Sequence, residues 1–185
     1  FKKLNLFVDS ALIDERGKFA KILPTPLTET ENRAIGCTGH SQVPFAVQIL
    51  NCIPDVAVGG RITQCFPLYT YNPDGTNRTD NITDWALNHY QKHYQDDSIT
   101  KWAIFHYVYG LLHHPFYRQK YAENLKRELP RIPLAPNFWA FAHAGEKLAD
   151  LHLNYEQQPA YPLKTIENPK VPYSLRVTKM RLSRD

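Results

Sequence analysis

No stretch of eighteen consecutive apolar residues occurs in the 185-residue chain, which excludes a membrane-spanning helix. The opening residues FKKLNLFVD lack the apolar run and small-residue cleavage site of a secretory signal. They also lack an initiator methionine, Met180 being the only methionine, so the chain is expected to be a piece of a longer polypeptide. Cysteine is scarce. Cys37, Cys52 and Cys65 are odd in number, widely spaced and never in a CxxC pair, which argues against a disulfide framework or a zinc ribbon. Each lies in an apolar, strand-like segment, as reduced core thiols of a cytoplasmic protein would. Without a secretory signal, the acceptor patterns Asn77-Arg-Thr79 and Asn81-Ile-Thr83 are chance matches for glycosylation. Catalytic signatures are missing too: no GxSxG, no Walker loop, no GxGxxG, no paired-carboxylate pattern, and no Asn-Pro-Pro-Tyr of the amino-methyltransferases.

What is present is aromatic and helical, and it is concentrated between Ser98 and Tyr155. Trp102, Phe105, Val108, Tyr109 and Leu112 recur at three- and four-residue steps, which predicts a helix from about Thr100 to His113. Pro115 suits the first position of a second helix, on which Tyr117, Tyr121, Leu125 and Leu129 share a face until Pro130 stops it. Pro130, Pro133 and Pro136 carry an extended connector. Asn137 then caps a third helix bearing Phe138, Phe141, Ala142, Leu148, Ala149 and His152 on one side. An earlier helix, Asp84 to Tyr94, starts after Thr83.

The first eighty residues read as strands: Leu4–Val8, Phe19–Leu23, Arg33–Cys37, Phe45–Ile53 and Cys65–Tyr71, punctuated by Gly, Pro, Asn or Asp. The fold class is therefore α+β, with a mixed sheet in the N-terminal half and an aromatic layer of about four helices in the C-terminal half. Residues 1–160 form one domain, its sheet in residues 1–80 and its helices in residues 81–160. Residues 161–185 form an extended basic tail packed along it.

Charge is uneven. Between Lys164 and Asp185 six basic residues face two acidic ones, a surplus equal to the formal +4 of the whole chain. Arg118, Lys120, Lys126, Arg127 and Arg131 make the second helix and its exit basic, as a polyanion partner would require. The same residues also suit a solvated face on which Glu123 and Arg127, four apart, pair. His89 and His93 have the spacing of two metal ligands on a helix, although Tyr90 stands where a general base would be and two solvated surface histidines are the better reading. His106, His113 and His114 fit core or capping positions.

Seven segments, in order, carry a resemblance. They are Glu31-Asn-Arg-Ala-Ile35, Gln64 to Tyr71, Asn81-Ile-Thr-Asp-Trp-Ala86, Ile104 to Pro115, Tyr117 to Pro133, Phe138-Trp-Ala-Phe141 and Leu148 to Tyr155. Together they resemble the C-terminal specificity region of type ISP single-polypeptide restriction–modification enzymes, and more distantly the target-recognition domains of type IIG enzymes. The resemblance implies a domain that reads a short duplex sequence and positions an adenine-N6 methyltransferase, nuclease and translocase carried by the same polypeptide. It implies no cofactor here, with AdoMet, ATP and Mg bound elsewhere in that polypeptide. Bases are read mostly in the major groove by Arg, Asn, Gln and short polar side chains, while Lys and Arg hold phosphates. Polar loop tips accordingly offer Ser41, Gln42, Arg61, Thr63, Asn77 and Arg78 as base-contact candidates. Lys120, Lys126, Arg127 and Arg131 are the phosphate-contact candidates. Two rival readings stay open: a docking module that packs on a methyltransferase and reads no bases, and a metal-dependent enzyme built on His89 and His93.

Overall fold

The computed structural model describes residues 21–38, 44–52, 54, 63–160 and 162. Thr25 and Pro26 open the first element, α1 (Pro26–Glu31): the Thr25 hydroxyl accepts from the Thr28 N–H, Thr28 returns the bond, and proline takes the N1 position. β1 (Ala34–Thr38) follows and is buried along its whole length, because it is the middle strand of a three-stranded sheet. β2 (Val47–Leu50) and β3 (Thr63–Pro67) flank it, both antiparallel, with Ile35 opposite Ile49 on one side and Phe66 on the other. At Leu68 the chain leaves this sheet, and β4 (Tyr69–Thr70) pairs instead with β5 (Thr79–Asp80).

The switch of partner is held by one side chain. Asn32 is fully buried, and its amide stands in for a strand backbone: Oδ1 accepts from the Tyr69 and Arg33 N–H groups, and Nδ2 donates to the Tyr69 and Ile22 carbonyls. All four hydrogen-bonding positions of the amide are used, which is what makes its burial tolerable.

Five helices make the second layer: α2 (Asp84–Tyr94), α3 (Lys101–His113), α4 (Pro115–Lys120), α5 (Ala122–Leu125) and α6 (Phe138–Leu153). Thr83, Thr100 and Asn137 each cap a helix by accepting the N3 amide. The pairing of α3 with α6 is set by glycine. A Cβ placed on Gly145 would lie 1.9 Å from the His106 carbonyl oxygen, and one on Gly110 would lie 2.4 Å from that of Phe141. The two backbones therefore touch. Around the crossing, Tyr107 stacks on Phe138 with ring centroids 5.0 Å apart, and Tyr90 of α2 meets both rings edge-on.

Hydroxyls tie the remaining pieces to α3. Its Tyr107 accepts from the Ala135 N–H and donates to the Pro133 carbonyl, both at 2.7 Å, while Tyr94 donates to Ala135 O and Tyr117 to Arg131 O. The proline connector thus has its carbonyls met without a helix or sheet ladder. On the other side, β2 is an edge strand, and α3 seals it. The Ile49 N–H donates to the Tyr109 hydroxyl at 3.1 Å, and one turn on the His113 ring bonds the Tyr109 carbonyl at 3.0 Å. Having accepted from Ile49, the Tyr109 hydroxyl donates to His152 Nδ1 of α6 at 2.6 Å.

Several expectations change. Residues 21–23 form a turn rather than the end of a strand, and α1 stands where none was expected. The run from Cys65 to Tyr71 breaks at Leu68, for the reason just given. The second helix breaks at Tyr121 into α4 and α5 and ends at Leu125, leaving Leu129 exposed. Of the histidines, His106 is buried and His113 half-buried, as placed, whereas His114 caps α4 without a side-chain bond. Cys37, Cys52 and Cys65 are free thiols, and burial, with Cys65 close by, pushes Cys37 up to about 11. The expected strand Leu4–Val8 and the basic tail, apart from Pro162, lie outside the described residues.

Replacing Gly145 by alanine forces the helices apart and is expected to cost roughly 3 kcal/mol or more, read as a lower urea midpoint. Ala144→Ser, on the exposed side, should leave the midpoint in place. Burial also holds the His106, His113 and His152 imidazoles below their ordinary range, with Glu146 opposing the shift at His106 and Arg33 adding to it. The unfolded chain takes up protons near pH 6.5 that the folded chain refuses, so stability is present above that pH and is lost below it. Urea unfolding at about pH 7.5 and about pH 5.5 should show the lower midpoint in acid; equal midpoints would contradict this.

Candidate nucleic-acid interface

Lys120 ends α4, Lys126 caps the C-terminus of α5, Arg127 follows in the turn and Arg131 in the proline connector, and all four are exposed. Short helices form there because Pro115 opens α4 while Tyr117 and Leu125 turn into the core. Lys126 pairs with Glu123 at 2.6 Å and Arg131 with Glu128 at 2.9 Å. Glu123 thus takes Lys126, three residues on, as its bonded partner, with Arg127 adding only its field; together they hold the carboxyl below the usual range. Lys120 lies over the rings of Phe116 and Tyr121, at 5.9 and 5.4 Å. Exposed pairs of this kind are weak and exchange readily for a phosphate.

Arg118 belongs to the basic run of the second helix but not to the phosphate-contact candidates. It is half-buried, donates to the Phe45 carbonyl and lies across the Phe45 ring, which fixes α4 against the chain entering β2. That point adjoins Thr38, whose N–H and hydroxyl bond the Ala46 backbone. Thr63 pairs with Thr38, so the start of β3 and the base of the cationic helices share one end of the sheet. Nothing in the spacing of Arg118 distinguishes it from its basic neighbours; only the fold does.

Asn77 and Arg78 stand at the opposite end, in the turn joining β4 to β5. Roughly 13 Å of strand separates the two ends, since β3 runs from one to the other. Arg78 lies 4.6 Å over the Tyr69 ring and 3.6 Å from Glu31, so its guanidinium already has two partners on the protein. Asn77 has φ +54°, a left-handed conformation that asparagine tolerates better than most residues. Thr63 therefore lies at the end of the sheet where Arg118 anchors α4, whereas Asn77 and Arg78 lie at the other end. Ser41, Gln42 and Arg61 lie outside the described residues.

The histidine pair is occupied differently. His89 stacks on Trp85 and His93 stands edge-on to Tyr94. Among the described residues no group of three or more His, Cys, Asp or Glu is placed to hold a metal ion. Nor is any described helix long and apolar enough to cross a membrane.

A small sheet that presents its turns, braced by helices and flanked by exposed cations, is the make-up of a binding module. The chain belongs to the Type ISP C-terminal specificity domain family, whose model matches residues 1–185. Its structure is similar to a portion of the cryo-EM DrdV–DNA complex, at 41% identity and a TM-score of 0.79, over 90% of this chain and 16% of that one. It is similar too to a nuclease-deletion mutant of the Type ISP restriction–modification enzyme LlaGI in complex with a DNA substrate mimic (39% identity, TM-score 0.57, 70% of this chain, 11% of that one). A third match is the ATP-dependent Type ISP enzyme LlaBIII bound to DNA (30% identity, TM-score 0.66, 82% of this chain, 10% of that one). The chain thus spans about a sixth or less of the solved relatives it matches. None of the curated proteins matches it.

Asn77 provides a clean separation of fold from recognition. Asn77→Gly should keep the stability of the chain, whereas Asn77→Val, forced into a left-handed conformation, should lose about 1–2 kcal/mol in urea unfolding. Equal stability of the two variants would show that the turn does not depend on this conformation.

Proposed function

We propose that the chain reads a short sequence in double-stranded DNA as the specificity module of a restriction–modification polypeptide, in the cytoplasm. In that role it has no chemistry of its own. It positions an adenine-N6 methyltransferase, a nuclease and a translocase of the same polypeptide, which bind AdoMet, ATP and Mg. The observation that carries the reading is the match to the DrdV–DNA complex over 90% of this chain at 41% identity. The exposed cations at the end of α4 and just after α5 support it, because phosphate contacts supply most of the affinity and fix the register on a duplex. Lys120, Lys126, Arg127 and Arg131 hold phosphates; Thr63, Asn77 and Arg78, with Ser41, Gln42 and Arg61, are the base-edge set. The two ends of the sheet then address separate stretches of the site, since a major groove is only about 12 Å wide.

The test is a titration of duplex DNA with the intact polypeptide at several salt concentrations. Affinity should fall with a logarithmic slope near 0.9 per phosphate neutralised. Lys126→Ala should weaken all duplexes alike and lower that slope by about one contact. Arg78→Ala should relax discrimination at one base pair by about 1–3 kcal/mol. Binding that ignores salt, or no binding at all, would overturn the reading in favour of a docking module.

A further inference from the structure

We infer that the outward face of α2, built on Trp85 and His89, seats this chain against a neighbouring protein domain of a longer polypeptide rather than against DNA. Trp85 is 74% exposed, the most exposed large apolar side chain among the described residues. It cannot turn inward. Leu87, Tyr90 and Tyr94 occupy the core side of α2, and position 85 lies well round the helix from Tyr90. His89, one turn on, lies parallel to the indole, with centroids 5.3 Å apart and planes within 3°. The two rings form a flat, preordered apolar plate facing solvent, the kind of anchor that interfaces place at their centre.

The surrounding segment accounts for every neighbour of Trp85 but not for Trp85 itself. In Asn81-Ile-Thr-Asp-Trp-Ala86, the Asn81 side chain donates to the Pro67 carbonyl, Ile82 packs on the core and Thr83 caps α2. Asp84 pairs with Lys101 at 2.6 Å. The fold uses these residues and leaves the indole unused.

Charge decides between the possible occupants. Asp80 and Asp84, which share Lys101 between them, stand before and at the start of α2 and Asp96 and Asp97 just past its end, so four carboxylates face two lysines, Lys92 and Lys101. A phosphate backbone is repelled by such a rim, whereas the exposed cations lie at the end of α4 and just after α5. A protein face that is apolar at its centre and basic at its edge fits both the plate and the rim. There is ample chain to supply it, since the solved relatives are six to ten times the length of the segment matched here, 16%, 11% and 10% of their chains being covered. This inference rests on family membership and not on the DNA reading, so a polypeptide that binds no duplex can still bear it out.

The experiment is hydroxyl-radical footprinting of the intact polypeptide, reading tryptophan oxidation by mass spectrometry against the same polypeptide unfolded in urea. Trp85 should be protected several-fold, far beyond what its exposure in this chain allows, and the protection should persist on dilution and be unaffected by duplex DNA. Trp85→Ser should in turn raise the oxidation of His89, which loses its cover. Oxidation of Trp85 near its unfolded rate would overturn the inference. So would protection that appears only with duplex, which would make this a DNA surface, or protection lost on dilution, which would make it a contact between copies.

Discussion

The contact on which the molecule depends is the bare crossing of α3 and α6 at Gly110 and Gly145. Two helices seldom come this close, because almost any side chain at the crossing would keep them apart. Here neither position has room for a single Cβ. Once the backbones meet, Tyr107 can stack on Phe138, and Tyr109 can reach His152 across the joint. α3 then becomes the spine: it touches the connector through Tyr107 and the sheet through Tyr109.

A second theme is how polar backbone is met where regular structure gives out. The proline connector has few N–H groups to offer and turns its carbonyls to the hydroxyls of Tyr94, Tyr107 and Tyr117. The edge of β2 is met at Ile49 by a tyrosine hydroxyl, which shortens an open strand edge of the sort that recruits other chains. Asn32 does the same work where β3 gives way to β4. Aromatic residues are abundant here for their hydroxyls as much as for their area.

The helical layer was legible in the sequence because its periodicity and its caps agreed: Thr83 and Asn137 cap the helices they precede, and Thr100, read as the start of its helix, is the cap of it. The break at Tyr121 was not, since Tyr117, Tyr121, Leu125 and Leu129 keep a perfect four-residue spacing that says nothing of the Tyr117 hydroxyl being spent on the Arg131 carbonyl of the connector. α1 was hidden by its six-residue length, its signal being only Thr25-Pro26 and a threonine at the third helical position. Strand pairing could not be foreseen either, and it is pairing that divides the base-contact candidates, Thr63 at one end of β3 and Arg78 beyond the other. Polarity at a loop tip says that a side chain is available; it does not say what that side chain already holds, as the Tyr69 and Glu31 contacts of Arg78 show.

The glycine crossing has one more consequence. A helix pair that interlocks through side chains can ratchet by a turn, trading one set of knobs for another. Backbones pressed together at a single pair of notches have no second register to fall into, so α3 and α6 behave as one solid strut. The cationic short helices continue from one end of that strut, and α2 leads into the other. The span between them is therefore fixed like the gauge of a rail, laid down when the chain folds and not renegotiated by whatever it later holds.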